Sequence, residues 1–334
     1  MDKIFSASHL NISDMENGTL INDIYIISDI SVSVTKAGSP YLRASLRDNS
    51  GKISMKIWDY TNGRICPTDN GKLIAVIGKV SSYEDSLQVY VEQAEVLSFQ
   101  DYCNDPILNS VIPHALIDVE SIKTYFSEQI ASIRDKDLYD ITSLIVSRNY
   151  ELFLKIPASK DRHHDYLNGL LVHTCSMLQT ANLLSSVYKD IVNRDLLISG
   201  VILHDIGKLR VFKLADTGLV SDYISEDGTI GHSVLGAMEV MSTAEEIHAE
   251  RCISEALSHL ILSHHSFPDK DVIKEPMVFE AELLNYTDSI DITADIYRKS
   301  VKDIVYSKPT YIPLLNKQIY RHPIDLISTP KDDT

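Results

Sequence analysis

One apolar stretch of the chain carries charged side chains that its surroundings disfavour. The segment Leu196–Leu209 reads LLISGVILHDIGKL and places His204 and Asp205 directly after a run of apolar and small residues. Because apolar residues fall on nearly every side of this segment, it predicts a helix at the centre of its domain. A buried carboxylate without a partner is costly or takes up a proton. A bound cation or a hydrogen-bonded His–Asp pair would remove that cost, and the dipeptide alone favours neither.

Other histidines and an aspartate stand beside apolar segments in the same half of the chain. A helical bundle can bring such side chains from several helices to one interior point. The predicted ligands of one cation are His173, His204, Asp205 and Asp288, and those of a second cation are His232, His264 and His265. Asp205 is the predicted bridge between the two ions. Mixed imidazole and carboxylate ligands accept Mn²⁺, Fe, Co, Ni or Zn, of which we expect Mn²⁺.

The first hundred residues have the periodicity of strands. Five short runs between Asp23 and Ser98 are separated by turn-like segments such as KAGSP and TDNG. This pattern predicts a small five-stranded antiparallel barrel of the OB-fold type. Alternation is clearest in the second and third strands, which the turn Asp48–Gly51 joins as a hairpin. The predicted architecture is therefore α+β and multidomain, with this barrel followed by an all-α helical bundle.

One face of that hairpin is predicted to be basic and aromatic. Alternation places on it the side chains of Tyr41, Arg43, Arg47, Lys52, Lys56 and Trp58. In OB-folds the corresponding face binds single-stranded nucleic acid, with bases stacked on aromatic rings and cations along the backbone. We take Tyr41, Arg43, Lys56 and Trp58 as candidate contacts for RNA. The alternative interpretation is an ordinary solvated exterior of a barrel.

Composition narrows the classes of function. The formal net charge of −16 argues against broad electrostatic binding of nucleic acid, so any strand must be held locally. Four widely spaced cysteines suggest neither a disulfide framework nor a thiolate zinc site. The sequence shows neither a signal peptide nor an apolar run of about 18 residues, so we expect no membrane association and a cytoplasmic location. His9, His114, His248 and His322 have no predicted role beyond surface polarity.

The ordered motifs resemble those of the HD-domain phosphohydrolases, and the whole arrangement resembles the YhaM family of OB-fold plus HD-domain 3′→5′ exoribonucleases. The similarity runs from Gly18 to Ile304. The segments that carry it are PASKDRHHDYLNGLLVHT (157–174), LLISGVILHDIGKL (196–209), IGHSVLG (230–236), ILSHHS (261–266) and FEAELLNYTDSID (279–291). The resemblance implies hydrolysis of single-stranded RNA, and of single-stranded DNA as a further substrate, to nucleoside 5′-monophosphates by water that two metal ions activate.

The resemblance also implies roles for individual residues. His204, Asp205 and Lys208 would be catalytic, with Lys208 meeting a phosphate oxygen, and His164 in the polar loop before the first ligand would contact the substrate. Four positions depart from the family pattern, where Asn168, Val172, Asn285 and Ser266 replace a glycine, a glutamate, a histidine and a glycine. These departures imply weaker support of the ligands and a slower or narrower activity.

The predicted organisation has five parts. These are an N-terminal segment (1–15), the OB-fold domain (16–99), connecting helices (100–156), the HD metal-dependent phosphohydrolase domain (157–306) and an irregular C-terminal tail (307–334). We expect a homo-oligomer, although no residue pattern specifies one. Two alternative functions remain open from the residues: an HD-domain phosphodiesterase for cyclic dinucleotides, short oligonucleotides or nucleotides, and a non-catalytic single-strand-binding protein.

Overall fold

A closed five-stranded barrel forms the N-terminal part of the computed structural model, which describes residues 9–61, 63–83, 86–224, 229–265, 273–301, 304 and 308–322. Its strands are β1 (Leu20–Val34), β2 (Pro40–Arg47), β3 (Lys52–Trp58), β4 (Leu73–Tyr83) and β5 (Ser86–Val96). They follow the order β1-β2-β3-β5-β4, in which only the β3–β5 pair is parallel. This closed order is that of an OB-fold, so the predicted barrel is confirmed.

The predicted hairpin is present with the predicted register. Tyr41 lies opposite Trp58, and Arg47 lies opposite Lys52. The turn is fixed by Asp48, whose Oδ1 accepts hydrogen bonds from the Ser50 and Gly51 backbone N–H groups at 2.7 and 2.8 Å. The inward side chains of the hairpin, Leu42, Ala44, Leu46 and Met55, are fully buried in the barrel core.

The sequence suggested that His9 lies at the surface, but its side chain is buried in the structure. Its ring lies 3.1 Å from the carboxylates of Asp23 and Asp48, with all three side chains buried. Burial opposes protonation, but the hydrogen bonds to Asp23 and Asp48 raise the pKa of His9 to about 9. The imidazolium thus fastens the N-terminal segment to the barrel and offsets two buried carboxylates.

The remaining described residues are mainly helical. The helices are α1 (Leu108–Val111), α2 (Val119–Ala131), α3 (Lys136–Lys155), α4 (Gly169–Val187), α5 (Arg194–Leu203), α6 (Lys208–Val211), α7 (His232–Glu246), α8 (Arg251–Leu262) and α9 (Phe279–Ser300). Two small hairpins accompany them, β6 (Phe212–Leu214) with β7 (Val220–Tyr223), and β8 (Thr310–Ile312) with β9 (Lys317–Ile319). The second hairpin lies in the tail that was expected to be irregular. Among the described helices, none has the length and apolar composition that a membrane crossing requires.

Helices α2 and α3, which were expected to connect the two parts, pack into the same core as the helices that follow. Phe126 of α2 stacks on Phe153 of α3 with ring centroids 5.1 Å apart, and both rings are fully buried with side chains of α4 and α5. Each helix begins at an aspartate, Asp118 or Asp135, whose carboxylate accepts backbone N–H groups of the first turn. These two helices therefore help to fix the position of α5.

A buried ion pair joins the barrel to the helical part. Arg47 was predicted to lie on the exposed nucleic-acid face, but its guanidinium lies 2.7 Å from Oδ2 of Asp165 and also donates to the Asp165 carbonyl oxygen. Lys299 of α9 binds the other oxygen of Asp165 at 2.6 Å. The alternation of β2 was read correctly. The outer face at this end of the strand is covered by the helical part, which the sequence pattern does not reveal.

Candidate metal centre

The seven predicted ligands come from five places in the helical part. His173 lies in the second turn of α4, and Asp288 lies in α9. His204 and Asp205 follow the end of α5, His232 begins α7, and His264 and His265 follow α8. These five places meet at one point inside the bundle. The five ligand residues other than His232 and His265 are each at least 95% buried.

The regular α-helix ends immediately before the predicted ligands of the HDIG segment. Helix α5 ends at Leu203, and the four residues His204–Gly207 form a turn before α6. A side chain at Gly207 would overlap the carbonyl oxygen of His232, so the absence of a Cβ lets the start of α7 lie against the turn. This close approach brings His232 to Asp205.

The first predicted ligand set is assembled around His173. Its Nε2 lies 3.3 Å from His204 Nε2 and 3.3 Å from Asp288 Oδ1. One ligand atom from each of these three residues lies within 4.8 Å of the other two. This spacing suits three donors around one cation.

The second set is built in the same way, and Asp205 stands between the two. His232 Nε2 lies 3.2 Å from His265 Nε2, and His264 completes a group within the same 4.8 Å limit. Oδ1 of Asp205 lies 3.6 Å from His232 Nε2 and 3.7 Å from His264 Nε2. Its Oδ2 lies 3.2 Å from His204 Nε2. The two oxygens of one carboxylate thus face the two sets.

Hydrogen bonds orient three of the imidazoles. Nδ1 of His204 lies 2.8 Å from the Val201 carbonyl oxygen, and Nδ1 of His264 lies 2.6 Å from that of Ile261. Because a carbonyl oxygen only accepts, Nδ1 carries a proton in both rings, and Nε2 is the nitrogen that faces the centre. Nδ1 of His173 is held in turn by the Asp291 carboxylate at 2.7 Å.

The electrostatics of the centre differ between its two sides. Burial lowers the pKa of His232 to about 3 and also lowers the pKa values of His264 and His265, so these rings are neutral near pH 7. At His173 burial acts in the same direction, but hydrogen bonds to Asp288 and Asp291 outweigh it and raise its pKa to about 9. The imidazoles beside Asp205 are therefore ready to donate lone pairs, whereas His173 must first lose a proton.

The donor atoms of the centre fit a cation. Among the described residues, Asp205 Oδ1 and His264 Nε2 are buried polar atoms without a hydrogen-bond partner. Although burial opposes ionisation, the charges of Lys208 and His204 hold the pKa of the Asp205 carboxyl well below its usual range. An ionised carboxylate oxygen and an imidazole lone pair that face each other without a donor are what a divalent metal ion would satisfy.

Lys208 contacts Asp205 directly. Its Nζ lies 2.6 Å from Asp205 Oδ2, and the lysine side chain is nine-tenths buried. The ammonium group thus lies beside the metal centre, where the resemblance implied a contact with phosphate, and it partly compensates the buried carboxylate.

The predicted substrate contact by His164 does not agree with the structure. His164 is 1% exposed, and its two ring nitrogens lie 2.7 Å from Tyr166 Oη and from Asp291 Oδ2. Asp291 therefore joins His164 to His173 and supports the metal centre from behind. The sequence could have indicated this role of Asp291, because Asp291 lies one helical turn after Asp288 and on the same face of α9.

Among the departures from the family pattern, a contact within the described residues explains Asn285. Asn285 is buried and donates from Nδ2 to the His264 carbonyl oxygen at 2.8 Å, so it fixes the backbone of a predicted ligand. Val172 is partly buried in the first turn of α4, and nothing in its contacts assigns it a role. Ser266 lies outside the described residues.

The four predicted barrel contacts for RNA lie together on the outer face of the hairpin. The rings of Tyr41 and Trp58 are 5.3 Å apart, and Lys56 Nζ lies 5.7 Å from the centre of the Trp58 ring. Arg43 is exposed and lies opposite Lys56 on the neighbouring strand. Sequence reasoning missed Tyr83 at the end of β4, whose half-exposed ring lies 5.1 Å from Lys56 Nζ. We call these five residues the barrel aromatic surface.

Comparisons with known proteins found one family match and several similar proteins. Residues 170–295 match the model of the HD domain family. The chain is 28% identical over 309 residues to the 3′-5′ exoribonuclease YhaM of Bacillus subtilis strain 168, covering 92% of this chain and 96% of that protein. The second OB-fold domain of replication protein A from Methanococcus maripaludis matches 27% of this chain and 94% of its own, at 16% identity and a TM-score of 0.22. A replication protein A heterotrimer bound to ssDNA matches 28% of this chain and 68% of its own, at 16% identity and a TM-score of 0.21.

The chain thus combines an N-terminal closed five-stranded barrel with a helical part in which residues 170–295 match the HD domain family. The family match covers every predicted metal ligand, from His173 to Asp288. The resemblance to the YhaM family that the motifs carried is confirmed along nearly the whole chain.

Metal binding should release a proton from His173. Because its pKa is raised to about 9, this imidazole is protonated at pH 7.5 and must become neutral before it binds a metal ion. Calorimetric titration with Mn²⁺ in buffers of different ionisation enthalpy should give about one proton released per chain. Below pH 8 the apparent affinity should fall about tenfold for each pH unit, and the release should vanish as the pH rises through 9.

The variant Asp291→Asn supplies the control for this titration. It removes one of the two carboxylates that raise the pKa of His173, so proton release should vanish at a lower pH than in the wild type. A binding enthalpy independent of the buffer at pH 7.5 would contradict the assigned protonation of His173.

Proposed function

We propose that this chain is a metal-dependent 3′→5′ exoribonuclease that hydrolyses single-stranded RNA to nucleoside 5′-monophosphates. The observation that carries the proposal is the position of Asp205, a buried carboxylate whose two oxygens face two separate sets of donors. Similarity to a 3′-5′ exoribonuclease over 92% of the chain supports the reaction and its polarity. Single-stranded DNA is the further substrate that we propose.

The proposed metal ligands are His173, His204, Asp205 and Asp288 for one ion and His232, His264 and His265 for the other, with Asp205 shared. When bound there, divalent cations supply activation of water and neutralisation of the charge that develops at phosphorus. Mn²⁺ is our proposal for the ion, since the mixed ligand set alone accepts several metals. The chain itself orients the donors, through Asp291 behind His173 and the Val201 carbonyl oxygen behind His204.

Lys208 is the proposed contact for a phosphate oxygen of the substrate. Its ammonium group already lies 2.6 Å from Asp205, so a small change of side-chain torsion would bring it to an anion bound beside that carboxylate. A lysine serves here as a point charge that compensates the phosphodiester in a site with little water.

The barrel aromatic surface is the proposed guide for the strand. Two rings in contact, a third near Lys56 and an opposed pair of cations can stack bases and bind the backbone without reading a sequence. The opposed Arg43 and Lys56 repel each other, and a phosphate between them would relieve that repulsion. A cytoplasmic location and homo-oligomeric assembly stay predictions.

Replacing Asp205 should abolish hydrolysis. In Asp205→Asn the carboxamide keeps the shape of the side chain but loses the charge and one acceptor oxygen, so both sets of ligands are weakened. Degradation of 5′-labelled single-stranded RNA with Mn²⁺ should fall by on the order of a thousandfold or more. The exposed Asp190→Asn variant should behave as the wild type. Wild-type protein that shortens no RNA with Mn²⁺, Co²⁺, Ni²⁺ or Mg²⁺ would contradict the proposed function.

Removing one ring of the barrel aromatic surface should weaken binding of long strands only. In Trp58→Ala the KM for a 20-nucleotide RNA should rise by about tenfold, because stacking on one aromatic ring stabilises a bound base by about 1–3 kcal/mol. The kcat for a dinucleotide should be unchanged, since so short a substrate does not reach the barrel. Tyr139→Ala, which removes an exposed ring of α3, is the control. Equal KM values in all three proteins would favour a small nucleotide substrate instead.

A further inference from the structure

His163 is a buried imidazole whose ring nitrogens have no hydrogen-bond partner in the part of the chain that the structure describes. The residue is 6% exposed, and neither ring nitrogen makes a hydrogen bond with any described residue. A ring with one donor and one acceptor buried in this way is destabilising, so such a group calls for a functional explanation. Its neighbour His164 is the opposite case, since both of its ring nitrogens are engaged.

Hydrogen bonds hold the backbone of His163 and of the next residue, and they position the His163 side chain. Ser159 Oγ accepts the N–H of His163 at 2.9 Å and donates to its carbonyl oxygen at 2.7 Å. The next residue, His164, has a φ of 41°, and its N–H donates to Asp295 Oδ2 at 2.8 Å. The carbonyl oxygen of His164 lies so close to Gly169 that a Cβ atom on residue 169 would overlap that oxygen. A backbone held in the left-handed region by this many contacts is typical of a loop that positions a functional group.

The His163 ring lies beside the candidate metal centre. Its ring centroid lies 5.1 Å from that of His173, and the two planes are tilted by 55°. Burial lowers the pKa of His163 well below its usual range, and the charges of His173 and Lys208 act in the same direction. The ring is therefore neutral, and one nitrogen keeps its proton while the other keeps a lone pair.

Resting on the proposed function, we infer that His163 donates a hydrogen bond to a phosphate oxygen of the substrate, on the side of the centre where His173 lies. The position explains why a histidine is buried there without a partner in the protein. It also moves the substrate contact that the sequence suggested for His164 to the neighbouring His163, because His164 supports His173 instead. Together with Lys208, a neutral donor and a cation would then contact the same phosphate group.

Binding of the product AMP tests this inference without relying on turnover. Calorimetric titration of the Mn²⁺-loaded protein should show AMP binding weakened about tenfold or more in His163→Ala. The variant His163→Gln, which keeps an N–H donor, should recover part of the affinity. The metal content of both variants, measured by mass spectrometry, should equal that of the wild type, and the exposed His248→Ala variant should bind AMP normally.

Other outcomes overturn the inference. Unchanged AMP affinity in His163→Ala and His163→Gln would show that the ring does not meet the phosphate, and loss of metal from both would make it part of the metal site. His163→Gln alone carries the test if His163→Ala fails to fold. Wild-type protein that neither binds AMP nor shortens RNA would instead contradict the proposed function, so the two failures are distinguishable.

Discussion

The burial of one carboxylate governs the helical part of this protein. Asp205 is 2% exposed at the end of an apolar helix, where an unpaired charge would be destabilising by several kcal/mol. Lys208 satisfies one of its oxygens, and the other faces His232 and His264 without a hydrogen-bond donor among the described residues. The close approach at Gly207 and the orientation of the imidazoles both place donors for a cation around this group.

A series of ion pairs and hydrogen bonds connects the centre to the barrel. Asp291 joins His173 to His164, and the backbone of His164 is held by Asp295. Lys299 connects Asp295 to Asp165, which also binds Arg47 of the barrel. One connection between the two parts of the molecule is thus a chain of ion pairs and hydrogen bonds that ends at a predicted metal ligand. The loop 159–166 lies within this chain, which explains its well-defined backbone.

Much of this arrangement could be predicted from the sequence, and the failures have one physical origin. Period-two alternation in β2 and β3 predicted the buried and outer faces of the hairpin, and polar residues at the ends of apolar runs predicted which seven side chains meet in the helical part. Arg47, His9 and His164 were misread because their roles depend on contacts with residues far along the chain. Whether a polar side chain on an outer face meets solvent or another part of the protein is set by tertiary packing. No local pattern records that packing.

The most direct test of the account is a crystal structure of the protein loaded with Mn²⁺, with anomalous data collected at the manganese edge. The account predicts two peaks about 3.5–4 Å apart, one on each side of the Asp205 carboxylate. One peak should be bound by His173, His204 and Asp288, and the other by His232, His264 and His265. Density without anomalous signal at this point, or peaks bound elsewhere with Asp205 still paired only with Lys208, would contradict it.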